Sequence, residues 1–369
     1  MTKMNERIVV KIGSSSLTSE HGGLDRERIA FYAQELHTLV AQGMQVVLVT
    51  SGAVAAGFRH IGYEERPKQL HEKQASAAVG QALLMQAYQE ELQPYGIAAG
   101  QILLTRVDFA NRKRGHNAQL TMEELLRQGI IPIVNENDTV SIDELKFGDN
   151  DTLSALVANL VHASSLVIIT DTDGLYTSDP RKDQHATRFD HIDHITDEIY
   201  AYAGGAGSSV GTGGMRSKLD AARIAMRGGV RAFVGRVSDS GDLLQAVNGS
   251  GKGTYFETQL HSLPAKKQWL GFHTTPLGRI VVDQGAEVAL LDHGSSLLPA
   301  GVTEVQGQFH AGDVVEVVGL DGKLIGRGMV NYDNDQLHRI AGLSTREVLK
   351  RLDVNRIEVI HRDEWVTLR

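Results

Sequence analysis

The chain contains no cysteine, which excludes disulfides, thiolate zinc sites and a cysteine nucleophile and fits a reducing compartment. It has no run of 18 apolar residues to cross a bilayer and no signal-like apolar stretch near Met1. It is therefore expected to be neither exported nor membrane-embedded, with the cytoplasm as its location. Positive charge is not in excess either: 37 Lys and Arg stand against 45 Asp and Glu, and the resulting -8 offers no global attraction to nucleic acid or an anionic membrane. Anionic substrates must be met by local positive groups. Internal repeats and low-complexity tracts are also missing.

What is present reads as a folded protein. Hydrophobic residues make up 41% and charged residues 22%, near the averages that separate globular chains from disordered or fibrous ones. At 369 residues the chain exceeds what a single core usually supports, so two domains are expected. Up to about Glu257, short β-branched runs (Ile8 to Ile12, Val46 to Val49, Ile130 to Val134, Leu166 to Ile169, Val230 to Val234) alternate with amphipathic stretches (Arg26 to Gln42, Leu70 to Glu91, Asn117 to Arg127, Thr152 to Val161). Continuous apolar strands separated by helices predict an α/β fold with a largely parallel sheet sandwiched between helices. Ligands of such sheets collect at the carboxyl ends of the strands.

The stretch 261–276, with two prolines and a weak apolar pattern, is expected to be a linker between a catalytic domain over 1–260 and a small β-rich domain over 277–369. In the latter, alternating runs at Arg279 to Asp283, Asp313 to Val318 and Lys323 to Val330 predict strands, and Asp335 to Ile340 a helix.

Five segments carry candidate chemistry. Val9-Val10-Lys11-Ile12-Gly13-Ser14-Ser15-Ser16 runs from a strand into a glycine and hydroxyls, which suits a polyphosphate. A lysine closing an edge strand is equally compatible with solvated surface. Thr50-Ser51-Gly52-Ala53-Val54 places hydroxyl and backbone N–H at the end of the next strand, for an anion or simply as a helix cap.

Asn135-Glu136-Asn137-Asp138 and Gly148-Asp149-Asn150-Asp151 concentrate amide and carboxylate side chains beyond what turn chemistry requires. Amides and backbone donors can hold an amino acid's carboxylate and Asp138 its ammonium, which makes this the expected substrate site. Asp151 also suits a helix start, where capping is the plain alternative. Thr170-Asp171-Thr172-Asp173-Gly174-Leu175-Tyr176-Thr177-Ser178-Asp179-Pro180 can frame a nucleotide or be a surface loop. Gly211-Thr212-Gly213-Gly214-Met215-Arg216-Ser217-Lys218 opens into a helical stretch, where bare backbone and a first-turn lysine suit phosphate.

Other patterns fail on inspection. Asn248 to Gly253 imitates a Walker loop, but Ala246 and Gly253 occupy two required positions, and no intact GxGxxG is present. His191 and His194 have no convincing third metal ligand.

Taken in order, the five segments resemble the amino-acid kinase superfamily over nearly the whole chain, and within it the members that phosphorylate glutamate. The most specific pieces are Asn135 to Asp138 with Gly148 to Asp151, Gly174-Leu175-Tyr176-Thr177, and Gly211 to Lys218. Gly294-Ser295-Ser296-Leu297-Leu298-Pro299 and His361-Arg362-Asp363 resemble a PUA domain.

The resemblance implies ATP-dependent phosphorylation of the side-chain carboxylate of L-glutamate, the first step of proline biosynthesis. It implies ATP contacts at Lys11, Gly13, Thr170, Asp171, Thr212, Gly213, Gly214, Met215, Arg216, Ser217 and Lys218. Ser51, Asn135, Asp138, Asp149 and Asn150 would hold glutamate, and Lys11, Lys218 and Asp151 would be the catalytic set. Ser217 departs from the threonine expected there, keeping the hydroxyl, and Glu364-Trp365 departs from an acidic-methionine pair. Magnesium is expected to ride on the ATP phosphates with few protein ligands. Proline is implied as a feedback inhibitor, a glutamyl phosphate reductase as downstream partner, and a homo-oligomer as the assembly.

Two other classes stay open to test. From Thr275 onward, 10 Lys and Arg against 14 Asp and Glu leave -4, which disfavours an RNA-tracking surface on the second domain. A nucleotide-sensing scaffold without turnover would be expected to lack one lysine or loop, and none is missing.

Overall fold

The computed structural model describes residues 6–19, 23–141, 150–180, 183–203, 214–257, 270–271, 274, 276–351 and 357–368. The chain separates into two compact units, Met1–Asp108 with Lys113–Ser262, and Phe109–Arg112 with Leu263–Arg369. Of the expected linker, only Leu270, Gly271, Thr274 and Pro276 are among the described residues.

The first unit is built on an eight-stranded sheet. Its strands are β1 (Arg7–Ile12), β2 (Gln45–Val49), β3 (Ala99–Leu104), β4 (Ile131–Glu136), β5 (Ser165–Ile169), β6 (His191–Ile192), β7 (Arg231–Gly235) and β8 (Gly253–Phe256). They lie in the order β3-β4-β2-β1-β5-β7-β8-β6. All pairings are parallel except β7 with β8. The helices along the chain up to Val247 are α1 (Arg26–Ala41), α2 (Ala53–Gly57), α3 (Leu70–Leu92), α4 (Arg106–Ala110), α5 (Arg112–Arg127), α6 (Asn150–Leu160), α7 (Asp197–Tyr202), α8 (Met215–Arg227) and α9 (Asp242–Val247), with Phe109 to Arg112, where α4 ends and α5 begins, counted in the second unit.

Because β1 is flanked by β2 and β5, it is an interior strand and not an edge. That overturns the solvated-edge reading of Lys11, whose register partners are Val49 on one side and Ile168 on the other. Alternation along β1 decides which face each side chain serves. Ile8, Val10 and Ile12 join a core with Leu36 and Leu39 of α1 and Leu84 and Tyr88 of α3. Val9 and Lys11 therefore point to the opposite face.

Local chemistry sets the helix starts. Asp25 accepts from the Arg28 N–H at 3.1 Å to cap α1, and Gln69 with Glu72 forms a capping box on α3. Helices α2 and α3 touch backbone to backbone: a Cβ on Gly57 would sit 2.0 Å from the Ser76 carbonyl oxygen, and one on Gly80 1.8 Å from that of Ala53. Both glycines are there because only hydrogen fits.

Strands β3, β6 and β8 were not expected from the pattern. β3 is a partly exposed edge strand, β6 has two residues, and β8 is short. Asn248 to Gly253, the Walker imitation, turns from α9 into β8, the reverse of strand-then-helix.

The second unit carries a five-stranded sheet. Its strands are β9 (Gly278–Val282), β10 (Val302–Gly307), β11 (Val314–Val318), β12 (Leu324–Val330) and β13 (Ile360–Thr367), in the order β10-β9-β11-β12-β13. Its core gathers Ile280, Val315, Val317, Leu337, Ile340 and Trp365. Leu270 is buried against Val314 and Val366.

Candidate active site

The carboxyl ends of β1, β2, β4 and β5 carry Lys11, Thr50-Ser51, Asn135-Glu136 and Thr170-Asp171, and the amino ends of α6 and α8 bring Asn150, Asp151, Ser217 and Lys218. Helix starts present unpaired N–H groups and positive dipole ends, so two of them beside parallel strand ends make a site fit for anions.

At the centre is a carboxylate between two ammonium groups. Asp151 is fully buried, and Lys11 and Lys218 are each only 6% exposed. Lys11 Nζ pairs with Asp151 Oδ1, and Lys218 Nζ lies 3.2 Å from Oδ2. The Ser217 hydroxyl lies 2.9 Å from Oδ2 and 2.8 Å from the Gly214 carbonyl oxygen, two acceptors for one proton. Burial pushes the Asp151 carboxyl up, but the charges of Lys11 and Lys218 and the hydrogen bonds from Lys11 and Ser217 outweigh it. The carboxyl is held below its ordinary range, ionised and flanked by two cations. Gly13 lies beside this pair: a Cβ there would sit in ordinary contact with Lys11 Nζ, at 3.4 Å.

A second cluster is made of amides. Asn150 Nδ2 donates to the Thr50 carbonyl at 2.5 Å, to Ser51 Oγ at 3.0 Å and to Asn135 Oδ1 at 2.8 Å. Asn135 Nδ2 donates in turn to Gln81 Oε1 at 2.8 Å, and Gln81 Nε2 to Gln101 Oε1 at 3.0 Å. Thr50 is held from behind by the buried Tyr88 hydroxyl, 3.1 Å from its Oγ1. Ser51, Asn135 and Asn150, dispersed over 100 residues of sequence, are thus joined in one network. Asn150 and Asp151 are consecutive, so the amide cluster and the lysine pair share the first turn of α6.

Asp138 lies half-buried in the turn after β4. The Thr170 hydroxyl donates to its neighbour Asp171 at 3.1 Å, and Arg236 at the end of β7 donates to the Asp171 carbonyl at 2.6 Å. Both residues line a cavity of about 560 Å³, together with Ser15, Ser16, Arg28 and Arg236. Gly214 is the N-cap of α8 and Met215 its first residue. The Arg216 guanidinium lies over the Tyr200 ring, 5.8 Å from its centroid. Asp149, Thr212 and Gly213 lie outside the described residues.

Sequence reasoning missed Gln81, Gln101 and Arg236. A signal for Gln81 exists: it falls on the stripe of α3 shared by Ala77, Leu84 and Tyr88, all buried, and an amide on an apolar stripe demands a partner.

Comparison with known proteins agrees with this architecture. Residues 6–236 match the amino acid kinase family and residues 278–352 the PUA domain. Glutamate 5-kinase of Bacillus cereus (strain ATCC 10987) is 47% identical over 98% of this chain and 99% of its own length. That of Geobacillus thermodenitrificans is 49% identical over 99% and 98%, and glutamate 5-kinase 1 of Bacillus subtilis 48% over 99% of both. Among solved structures, UMP kinase from Bacillus anthracis aligns with a TM-score of 0.50 at 15% identity, over 70% of this chain and 99% of its own. Carbamate kinase from Giardia lamblia bound to AMP-PNP aligns with 0.51 at 15%, over 69% and 99%. At such identity these two speak for the fold alone. With a family match across more than half of its residues and relatives near half identity along its full length, the chain belongs to the amino acid kinase family.

Proposed function

We propose that this site transfers the γ-phosphoryl group of ATP to the side-chain carboxylate of L-glutamate, forming glutamyl 5-phosphate, the first step of proline biosynthesis. Lys11 and Lys218 meet the phosphates, while Ser51, Asn135, Asp138, Asp149 and Asn150 meet the amino acid. Gly13, Thr170, Asp171 and Thr212 to Lys218 frame the nucleotide. The observation that carries the reading is the single buried carboxylate of Asp151 holding two buried ammonium groups beside two helix starts.

The acceptor needs no base, since a glutamate side chain with a pKa of about 4.3 is ionised at neutral pH. A carboxylate oxygen forms the new bond to the γ-phosphorus as the bond to the bridging oxygen breaks and ADP leaves. The barrier is the approach of one anion to another, so positioning and charge neutralisation do the work. Asp151, already shared between two lysines and Ser217, orients the ammonium groups and takes no proton.

Magnesium suits this donor set as an ion carried by ATP. Among the described residues no three Asp, Glu or His side chains converge on a point, so phosphate oxygens and water would supply most of its ligands. Bound there, it would neutralise phosphate charge.

The product is an acyl phosphate, reactive toward water, and a reductase is its expected consumer. Proline is the expected feedback inhibitor, and a homo-oligomer the expected assembly. The cytoplasm is the expected location; no described helix is long and apolar enough to cross a membrane.

A hydroxamate assay on purified protein tests the reading. ATP-dependent hydroxamate formation with glutamate and not aspartate is expected, and so is inhibition by proline at subsaturating glutamate. Turnover of aspartate or UMP in preference to glutamate overturns the substrate assignment.

A further inference from the structure

Two backbone groups settle the orientation of the amide network. The Glu136 N–H donates to Asn135 at 2.9 Å, and an N–H only donates, so the atom it meets is Oδ1. The Thr50 carbonyl only accepts, so the Asn150 atom 2.5 Å from it is Nδ2. The bond from Asn150 Nδ2 to Asn135 Oδ1 agrees with both assignments.

Two consequences follow. The N–H groups of Asn150 are committed to Thr50, Ser51 and Asn135, which leaves Oδ1, a pure acceptor, for anything else Asn150 meets. Such an atom attracts an ammonium group and repels a carboxylate. The NH2 group of Asn135 is turned toward α3, where Gln81 Oε1 receives it. Asn135 is 2% exposed and Gln81 8%, so this partner is not readily replaced by water.

We propose that Gln81 is a positioning residue that holds Asn135, and through it Asn150, with the Asn150 carbonyl oxygen presented to the substrate ammonium, so that the site selects α-amino acids over plain dicarboxylates. The inference rests on the reading of Asn150 as a glutamate contact. Without the Gln81 acceptor, the buried Asn135 NH2 is unpaired, and because the Glu136 N–H and Asn150 Nδ2 both donate to Oδ1, the side chain relieves this only by swinging away toward another acceptor, which breaks its bond with Asn150. Gln101, at the outer end, lies on the edge strand with its side chain exposed and is free to turn.

The test is steady-state kinetics of Gln81→Met, Gln81→Leu and Gln81→Glu, with glutamate and with glutarate, which lacks the ammonium group. Gln81→Met is expected to raise KM for glutamate about 10-fold, the scale of one unsatisfied buried polar group. KM for ATP and kcat should stay within about twofold, and the preference for glutamate over glutarate should shrink. Gln81→Glu restores an acceptor for Asn135, and Gln101 can turn to donate to it, so KM should return to within about threefold of the parent.

An unchanged glutamate KM in Gln81→Met, equal rises in both KM values, or no recovery in Gln81→Glu overturns the proposal. Gln81→Leu serves if the methionine variant does not fold. Asn150→Ala separates the two layers of inference. If it leaves glutamate KM unchanged, the reading of Asn150 fails; if KM rises there but not in Gln81→Met, only the role of Gln81 fails.

Discussion

Asp151 divides its carboxylate between two lysines, Oδ1 to Lys11 from the end of β1 and Oδ2 to Lys218 from the first turn of α8. The two cations are 207 positions apart in the chain and share one buried anion. A carboxylate so placed sets the separation and direction of both charges before any phosphate arrives, which is the preorganisation that electrostatic catalysis requires.

Replacing Asp151 by asparagine should remove the carboxylate that two buried ammonium groups share. Breaking a buried pair on one side typically costs about 3–5 kcal/mol, so Asp151→Asn is expected to have a clearly lower Tm than the parent. On the proposed reading ATP phosphates supply the missing negative charge, so ATP should raise the Tm of the variant more than that of the parent. Differential scanning calorimetry with and without ATP checks both.

The sign of the Asp151 shift fixes a pH expectation. Its folded pKa lies below the ordinary value of 3.8, so the stability it contributes is fully present above that value and is lost as pH falls through the depressed one. No acid limb near pH 5–6 in the kcat profile should belong to Asp151. A profile measured from pH 5 to 8 on Ser217→Ala, which lacks one of the hydrogen bonds depressing the carboxyl, should still show no Asp151 titration in that range.

Ser217 contributes a hydroxyl, not a shape. Ser217→Thr keeps the group near Asp151 and should retain kcat within about threefold. Ser217→Ala removes one neutral hydrogen bond to a charged group, and should lower kcat by about 10-fold or more, on the scale of about 1.5–3 kcal/mol for such bonds. Parallel turnover assays of the two variants decide it.

The α2–α3 contact predicts a purely structural lesion. A methyl group at Gly80 would overlap the Ala53 carbonyl oxygen, so Gly80→Ala should push α2, and with it Ser51, away from Asn150. Overpacking of this kind costs about 1–3 kcal/mol. Urea unfolding should show a lower midpoint at unchanged slope, with a raised KM for glutamate.

Much of this was legible in the sequence because local pattern and function coincide. The runs around Val9, Val47, Ile133, Val167 and Phe233 are buried on both faces and so read as continuous apolar strands, and each of the first four ends in a polar motif. What the pattern could not convey was sheet order. Lys11 looks like a surface residue until β1 is known to lie between β2 and β5. β3 and β8 escaped because AGQILL and GTYF mix glycine with few β-branched residues, and β8 is only four residues long. Gln81 escaped because its meaning depends on Asn135, 54 positions away, and no local rule links them. In the second unit, β10 and β13 were missed because TEVQG and HRDEW are largely polar and exposed on one side.

The central claim is that Lys218, aligned by Asp151 opposite Lys11, neutralises the transferring phosphoryl group. Steady-state turnover of purified Lys218→Ala tests it most directly. The expected result is a kcat lower by about 10² to 10³, the scale set by loss of one charge-stabilising donor, with KM for glutamate within about threefold of the parent. Turnover close to that of the parent would contradict the account and remove Lys218 from the mechanism.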